Sequence, residues 1–168
     1  MRHGKSALSG GCDVEPKKLA ESKLFGLPKV SLQGEYMQNE EFKRVLIVED
    51  DLSLKPVWHE LFSDMPTQVY WAVSCEESIK MIEEMKKRRE GFDLIITDIF
   101  LAGSGTGIEL ISSQLVKDSH AKTILISVAD KDEILNEYGH ILPNAYVMTK
   151  PISIRHYKKI IGGMLFNE

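Results

Sequence analysis

From Lys43 onward the chain carries five short runs rich in apolar and β-branched residues: RVLIV (44–48), QVYWAV (68–73), FDLIIT (92–97), KTILISV (122–128) and AYVMT (145–149). Several are apolar at successive positions, without the alternation of a strand that has one face in water. That pattern suits a parallel sheet covered on both faces. Each run is followed by residues with helical spacing. Leu54, Val57, Trp58, Leu61 and Phe62 form one apolar stripe, and Cys75 to Glu90 sets Ile79, Ile82 and Met85 opposite the basic run Lys86 to Arg89. A third helix is predicted over Ile108 to Val116, and two more over Asp132 to Tyr138 and Ser153 to Leu165, the last weakened by Gly162 and Gly163. Five repeats of strand then helix predict a doubly wound α/β domain, a five-stranded parallel sheet with helices on both faces, for which one available order is the flavodoxin-like 2-1-3-4-5.

Residues 1–42 read differently. Gly4, Gly10, Gly11, Gly26 and Gly34, with Pro16 and Pro28, interrupt every periodic run, leaving Glu15 to Phe25 as the plausible short helix. They are read as an N-terminal extension of low order ahead of a domain over residues 43–168, with Met37 as an alternative start. A chain with 43% apolar and 27% charged residues has enough apolar material for a core. A net charge of -4 argues against binding nucleic acid or anionic membrane through bulk positive charge. The two cysteines, Cys12 and Cys75, have neither the spacing of a zinc site nor the density of a disulfide framework. With no apolar stretch of roughly 18 residues and no signal-peptide pattern, a cytoplasmic protein without membrane insertion is expected.

In a doubly wound sheet, ligands bind beyond the carboxyl ends of the strands. The residues that end the apolar runs form a coherent set. Run one ends in Glu49, Asp50 and Asp51, run three in Asp98, run four contains Ser127 near its end, and run five leads into Lys150-Pro151. Were runs one and three neighbours, Asp98 would lie close to the acidic pair. Two carboxylates roughly 5 Å apart at an effective dielectric of about 20 repel by about 3 kcal/mol. Lys150 can neutralise one charge, and a hard divalent cation, Mg²⁺ above all, suits the rest. Asp51 and Ser53 are read as helix caps. Capping gives no reason for Lys150 to share the rim with Glu49, Asp50 and Asp98.

VLIVEDD, FDLIITDIF, ILISVA and TKP resemble, in order and spacing, the signature segments of the receiver domain of bacterial two-component response regulators, over about residues 43–168. The resemblance implies a stand-alone receiver with an N-terminal extension. It implies that Asp98 is the acceptor that takes a phosphoryl group from the phosphohistidine of a histidine kinase or histidine phosphotransfer protein. Glu49 and Asp50 match the pair that holds Mg²⁺, Asp50 directly and Glu49 through water, and the backbone carbonyl of Phe100 matches a further metal ligand. Lys150 matches the lysine that pairs with the phosphoryl group, and Ser127 the hydroxyl that moves toward it. The implied output is a conformational change read by a downstream protein, with no catalysis beyond the domain's own phosphorylation and dephosphorylation. Phosphoryl transfer runs mainly on positioning and charge neutralisation, so such a small set suffices.

Three departures from the family pattern stand out. The loop FLAGSGTGIEL has Ala102 where proline is common and one residue more before Gly107, so a more mobile loop is expected. Phe100 and Ala129, which flank the acceptor, offer no polar side chain to orient an attacking water, so the phosphorylated state is expected to persist. The aromatic switch residue three positions before the lysine is replaced by Val147, and Tyr146 lies one residue further back. Successive strand residues face opposite sides, so Tyr146 reaches the switch position only through a bulge, with Thr149 as the inserted residue. The reading adopted is that Tyr146 does not switch. Competing functions fit less well. A flavodoxin-like or Rossmann-like nucleotide site would need a third glycine where Ile108 stands. A phosphatase of the haloacid-dehalogenase type would need D-x-D where the chain has Glu49-Asp50-Asp51. A degenerate receiver acting only as a binding module is disfavoured because every reactive group is present.

Overall fold

A computed structural model describes residues 24–25, 42–142 and 144–166 of the chain. In chain order the elements are β1 (Leu24–Phe25), β2 (Lys43–Val48), a 3-10 turn (Leu52–Leu54), α1 (Lys55–Phe62), β3 (Thr67–Ala72), α2 (Cys75–Lys87) and β4 (Leu94–Asp98). They continue with α3 (Gly107–Ser112), α4 (Gln114–Ser119), β5 (Lys122–Ser127), α5 (Lys131–Tyr138), β6 (Ala145–Thr149) and α6 (Ile154–Phe166). The five parallel strands lie in the order β3-β2-β4-β5-β6, which is the flavodoxin-like 2-1-3-4-5 order.

The unbroken apolar runs have the physical cause that the sequence pattern suggested. Within β2, Val45 and Ile47 pack with Trp58, Leu61, Tyr157 and Ile161 of α1 and α6, while Leu46 and Val48 pack with Met81, Ile82 and Met85 of α2. A third cluster, built on Leu125 and Val147, lies against Ile108 and Ile111 of α3 and Ile134 of α5. Both faces of the sheet are therefore covered, and alternation puts apolar side chains into each.

Two expectations need correction. The sheet has a sixth strand, because β1 pairs antiparallel with β3 through Leu24–Tyr70 and Phe25–Val69. These two residues were read as the end of a helix over Glu15 to Phe25; the rest of that helix, most of the extension and Met37 fall outside the described residues. β3 would otherwise be an open sheet edge, and an added strand satisfies its free N–H and C=O groups. The single helix read over Ile108 to Val116 is broken at Ser113, which adopts φ -63° and ψ 148°. Its hydroxyl donates to the Leu110 carbonyl (2.7 Å) and accepts from the Val116 N–H (3.3 Å), closing α3 and capping α4. Serine offers the backbone this alternative to helix, while Ile108, Leu110, Ile111 and Val116 stay buried across the break, so the apolar period hides it.

Gly107 fixes the start of α3 against the end of β4. Its N–H donates to the Ile99 carbonyl at 2.9 Å, and a Cβ built there would lie 1.9 Å from the Asp98 carbonyl oxygen and 2.8 Å from Thr97 Oγ1. Backbone cannot yield as a flexible side chain does. Gly107→Ala is therefore expected to cost about 3 kcal/mol, the upper end for overpacking, read as a lowered urea midpoint. A midpoint equal to that of the unsubstituted chain would show that the approach is not this close.

Candidate functional site

The ends of β2, β4 and β6 meet at one side chain. Lys150 Nζ lies 2.9 Å from Glu49 Oε2 and 2.5 Å from Asp98 Oδ2. Adjacent β2 and β4, with Val48 opposite Thr97, bring the two carboxylates to the same rim. Lys150 is held there by its own backbone, whose N–H donates to the Ser127 carbonyl at 2.7 Å, and the preceding Thr149 carbonyl accepts from the Tyr157 hydroxyl at 2.9 Å. Burial pushes the Tyr157 hydroxyl up to about 12, so it stays a donor. The Lys150–Pro151 peptide is cis.

Glu49 is only 2% exposed. Burial pushes its carboxyl above the usual range, the hydrogen bond and charge of Lys150 pull it partly back, and the charge of Asp98 adds to the rise. For Lys150, burial acts downward, but hydrogen bonds to Asp98 and Glu49 and the charges of both outweigh it, so the ammonium is held above its ordinary value. Asp50 follows Glu49 directly in the chain, so the rim carries three carboxylates and one ammonium, two positive charges short of neutrality.

The remaining predicted residues take varied places. Asp50 is exposed, with no hydrogen bond or ion pair to another of the described residues. Asp51 is a cap as read, its Oδ1 accepting from the Ser53 N–H (2.9 Å) and hydroxyl (2.6 Å). Phe100 is 68% exposed, and its N–H donates to Asp98 Oδ1 at 3.3 Å. Ser127 is fully buried, with its hydroxyl accepting from the Ala129 N–H at 2.9 Å and making no bond to Asp98 or to the Lys150 ammonium. Among the described residues no three acidic, histidine or cysteine side chains converge closely enough to hold an ion by themselves. The Lys150 ammonium stands between the buried Glu49 and the half-buried Asp98.

Tyr146 faces away from Ser127. The β5–β6 pairing runs without interruption from Thr123–Ala145 to Ser127–Thr149, with no bulge. Val147 and its partner Leu125 pack on the α5 side, and Ser127 lies two residues beyond Leu125 on that side; Tyr146 opposes Ile124, which packs on the α1–α6 side. Its ring lies 5.0 Å from the Lys131 ammonium.

The sequence reading missed what fastens the loop after Asp98. Ser104 donates to Glu76 Oε1 through its N–H (3.2 Å) and its hydroxyl (2.7 Å), and Ala102 bridges Ser74. Glu76 reads in sequence as an acid favouring a helix N-terminus, and no local signal announces a partner 28 residues away. The loop expected to be mobile is thus pinned at its middle.

Comparison with known proteins decides the family. The response regulator receiver domain matches residues 45–161, well over half of the chain. The chain belongs to that family. Among solved structures, the CheY-like receiver domain protein of Methanospirillum hungatei JF-1 is 25% identical, over 76% of this chain and 96% of that one, with a TM-score of 0.62. The response regulator receiver protein of Sinorhizobium medicae WSM419 is 18% identical (76% and 97% covered, TM-score 0.62), and the receiver domain of the Francisella response regulator 1452 is 19% identical (74% and 98%, TM-score 0.61). The last two bear on the fold alone. No curated protein matches the chain. Receiver domains generally depend on Mg²⁺. The donors here suit such an ion in kind, being hard carboxylate and carbonyl oxygens, and in charge, since the rim lacks two positive charges.

In this receiver domain the charge balance makes a testable statement. Lys150→Met leaves Glu49 buried without its cation, raising its folded pKa further above the unfolded value. Stability tied to such a group is present below the unfolded pKa and lost as pH rises through the folded one. The variant should therefore be about 3 kcal/mol less stable near pH 7, the low end for a broken buried pair, with a smaller deficit near pH 4.5. Urea unfolding at both pH values checks this, and an equal deficit at the two would contradict it.

Proposed function

We propose that this domain takes a phosphoryl group onto Asp98 from the phosphohistidine of a histidine kinase or histidine phosphotransfer protein, and signals by conformational change to a protein partner. The observation that carries this reading is the Lys150 ammonium bound to Asp98 and Glu49 at the rim of a receiver fold. A carboxylate oxygen of Asp98 forms the new O–P bond while the donor's P–N bond breaks, and its electron pair leaves with the imidazole. Lys150 exchanges its contact with Asp98 for one with a phosphoryl oxygen, so the incoming dianion meets a cation already in place. Asp50, Asp98 and the Phe100 carbonyl would hold Mg²⁺, with Glu49 acting through water. The ion supplies the positive charge that the rim lacks.

Ser127 is supported as the responding group by its bonding. Its oxygen accepts from Ala129, which leaves its own O–H to be donated to a phosphoryl oxygen. That shift biases a two-state equilibrium of the β5–α5 region. The domain acts on no separate substrate. Among the described residues no helix is long and apolar enough to cross a membrane. We place the protein in the cytoplasm, with protein partners and no direct contact to nucleic acid.

Incubation with acetyl phosphate and Mg²⁺ should label the unsubstituted chain and leave Asp98→Asn unlabelled; equal acid- and base-labile label in both would refute the acceptor assignment. A second outcome concerns lifetime. Phe100 is exposed beside the acceptor and neither it nor Ala129 can orient water, so Phe100→Asn should lose its label roughly 10-fold faster. Unchanged or slower loss in that variant would remove the basis for a persistent state.

A further inference from the structure

We infer that Glu76 is the positioning residue for the loop that carries Phe100, and that through it the start of α2 sets how tightly the acceptor site holds its divalent ion. The inference rests on the proposed function, since it concerns the same site. The loop between β4 and α3 is pinned at both ends: Ile99 N–H donates to the Ile126 carbonyl (3.0 Å), and Gly107 N–H to the Ile99 carbonyl (2.9 Å). Between those points, Phe100 bonds to Asp98 Oδ1 at 3.3 Å, a long contact; Thr106 is tied to Glu109 of α3 by a capping box, and the middle of the loop is anchored by the start of α2.

That anchorage is close-fitting. Both donors of Ser104 converge on Glu76 Oε1, at 3.2 and 2.7 Å. Gly103 takes φ +109°, and a Cβ there would lie 2.8 Å from Glu76 Oε2; a Cβ at Gly105 would lie 2.8 Å from both Cβ and Sγ of Cys75. Ala102 forms its bridge to Ser74. The platform itself is firm, because Ser74 caps α2 by accepting from the Glu77 N–H (3.2 Å) and the Glu77 carboxylate accepts from the Val73 N–H (2.9 Å). The bonds from Ser104 hold the Glu76 carboxyl at about 2, so the acceptor stays charged through the neutral range. The loop lacks the proline common in the family, and Ala102 with one added residue would leave its backbone freer. Glu76 supplies from outside the loop the restraint that proline supplies from within. Phe100 stands four residues before Ser104, its side chain largely in solvent, so the placement of its carbonyl follows the loop's anchors.

The test uses the full chain and reads Mg²⁺ binding to the unphosphorylated protein by calorimetry, with amide hydrogen exchange of residues 100–105 alongside. Glu76→Ala should weaken Mg²⁺ binding about tenfold, as loss of a group that orients a metal ligand does, and should speed exchange at Ser104. Glu76→Gln keeps an oxygen acceptor and should restore affinity to within about twofold, while Ser104→Ala, which keeps the N–H bond, should fall between. In labelling with acetyl phosphate, the Mg²⁺ concentration for half-maximal rate should rise in Glu76→Ala with the limiting rate unchanged. A variant that merely folds less well would lower the limiting rate and leave the half-maximal concentration alone, and that pattern overturns the inference. So does unchanged Mg²⁺ affinity in Glu76→Ala, or an equal loss in Glu76→Gln. If the unsubstituted chain neither binds Mg²⁺ nor takes label, the proposed function fails and the role of Glu76 with it; if it does both and Glu76→Ala matches it, only the role of Glu76 fails.

Discussion

A carboxylate as deeply buried as Glu49 is tolerable only where a cation answers it, and the cation comes from the far side of the sheet. β6 lies two strands from β4 and three from β2. At about 4.8 Å per strand that is roughly 10 and 14 Å across a flat sheet. Lys150 reaches both acids because it stands beyond Thr149, the last paired residue of β6, and because four methylenes separate its charge from its backbone. Everything that fixes Lys150 therefore supports the acidic rim: the Ser127 carbonyl below its N–H, the Tyr157 hydroxyl on the preceding carbonyl, and the packing of α6 that places Tyr157. A buried ion pair is weak evidence of stability in itself, since desolvation offsets much of its attraction. Here its value lies in keeping two like charges together in a folded chain.

How much of this was legible in the sequence depends on the range of the interaction. The parallel sheet and the rim of Glu49, Asp98 and Lys150 follow from apolar runs and from the rule that strand ends carry the site, while the strand order is one of those open to a doubly wound sheet; all three appear in the structure. Asp51 was legible as a cap because its partner is two residues away. The break at Ser113 was not, because the buried Ile108, Leu110, Ile111 and Val116 continue the same apolar face through it. The pairing of Leu24 and Phe25 with β3 depends on contact between residues more than forty positions apart, and nothing in the local glycine- and proline-punctuated sequence signals it. The Glu76–Ser104 contact was hidden for the same reason. Nor does sequence alone tell which state of a charged rim is drawn: the same residues accommodate a lysine bridge or an ion, and the structure shows the bridge.

The two faces of β5 and β6 separate groups that neighbouring sequence positions might have joined. Ser127 lies on the α5 side, and its hydroxyl is tied to Ala129 in the loop that enters α5, where Asp130 caps the helix by accepting from the Asp132 N–H. Tyr146 stands on the opposite side at the sheet edge, under the Lys131 ammonium. Ser127 is thus tied to the segment that leads into the helix following it in the chain. Tyr146 and Ser127 stand on opposite faces because the pairing register runs unbroken to Thr149.

The hydrogen bond from Gly107 N–H to the Ile99 carbonyl makes the segment between them a closed ring attached to the sheet at one point. The energetic cost of closing such a ring rises only with the logarithm of its length, so lengthening it from eight residues to nine costs about 0.1 kcal/mol. The extra residue is therefore carried almost without penalty, in a loop whose Gly103 and Ser104 lie against Glu76 at the start of α2. Length can therefore be added to this segment at little entropic cost, and what keeps the longer loop in place is enthalpic: the contacts of Ser104 and Gly103 with Glu76.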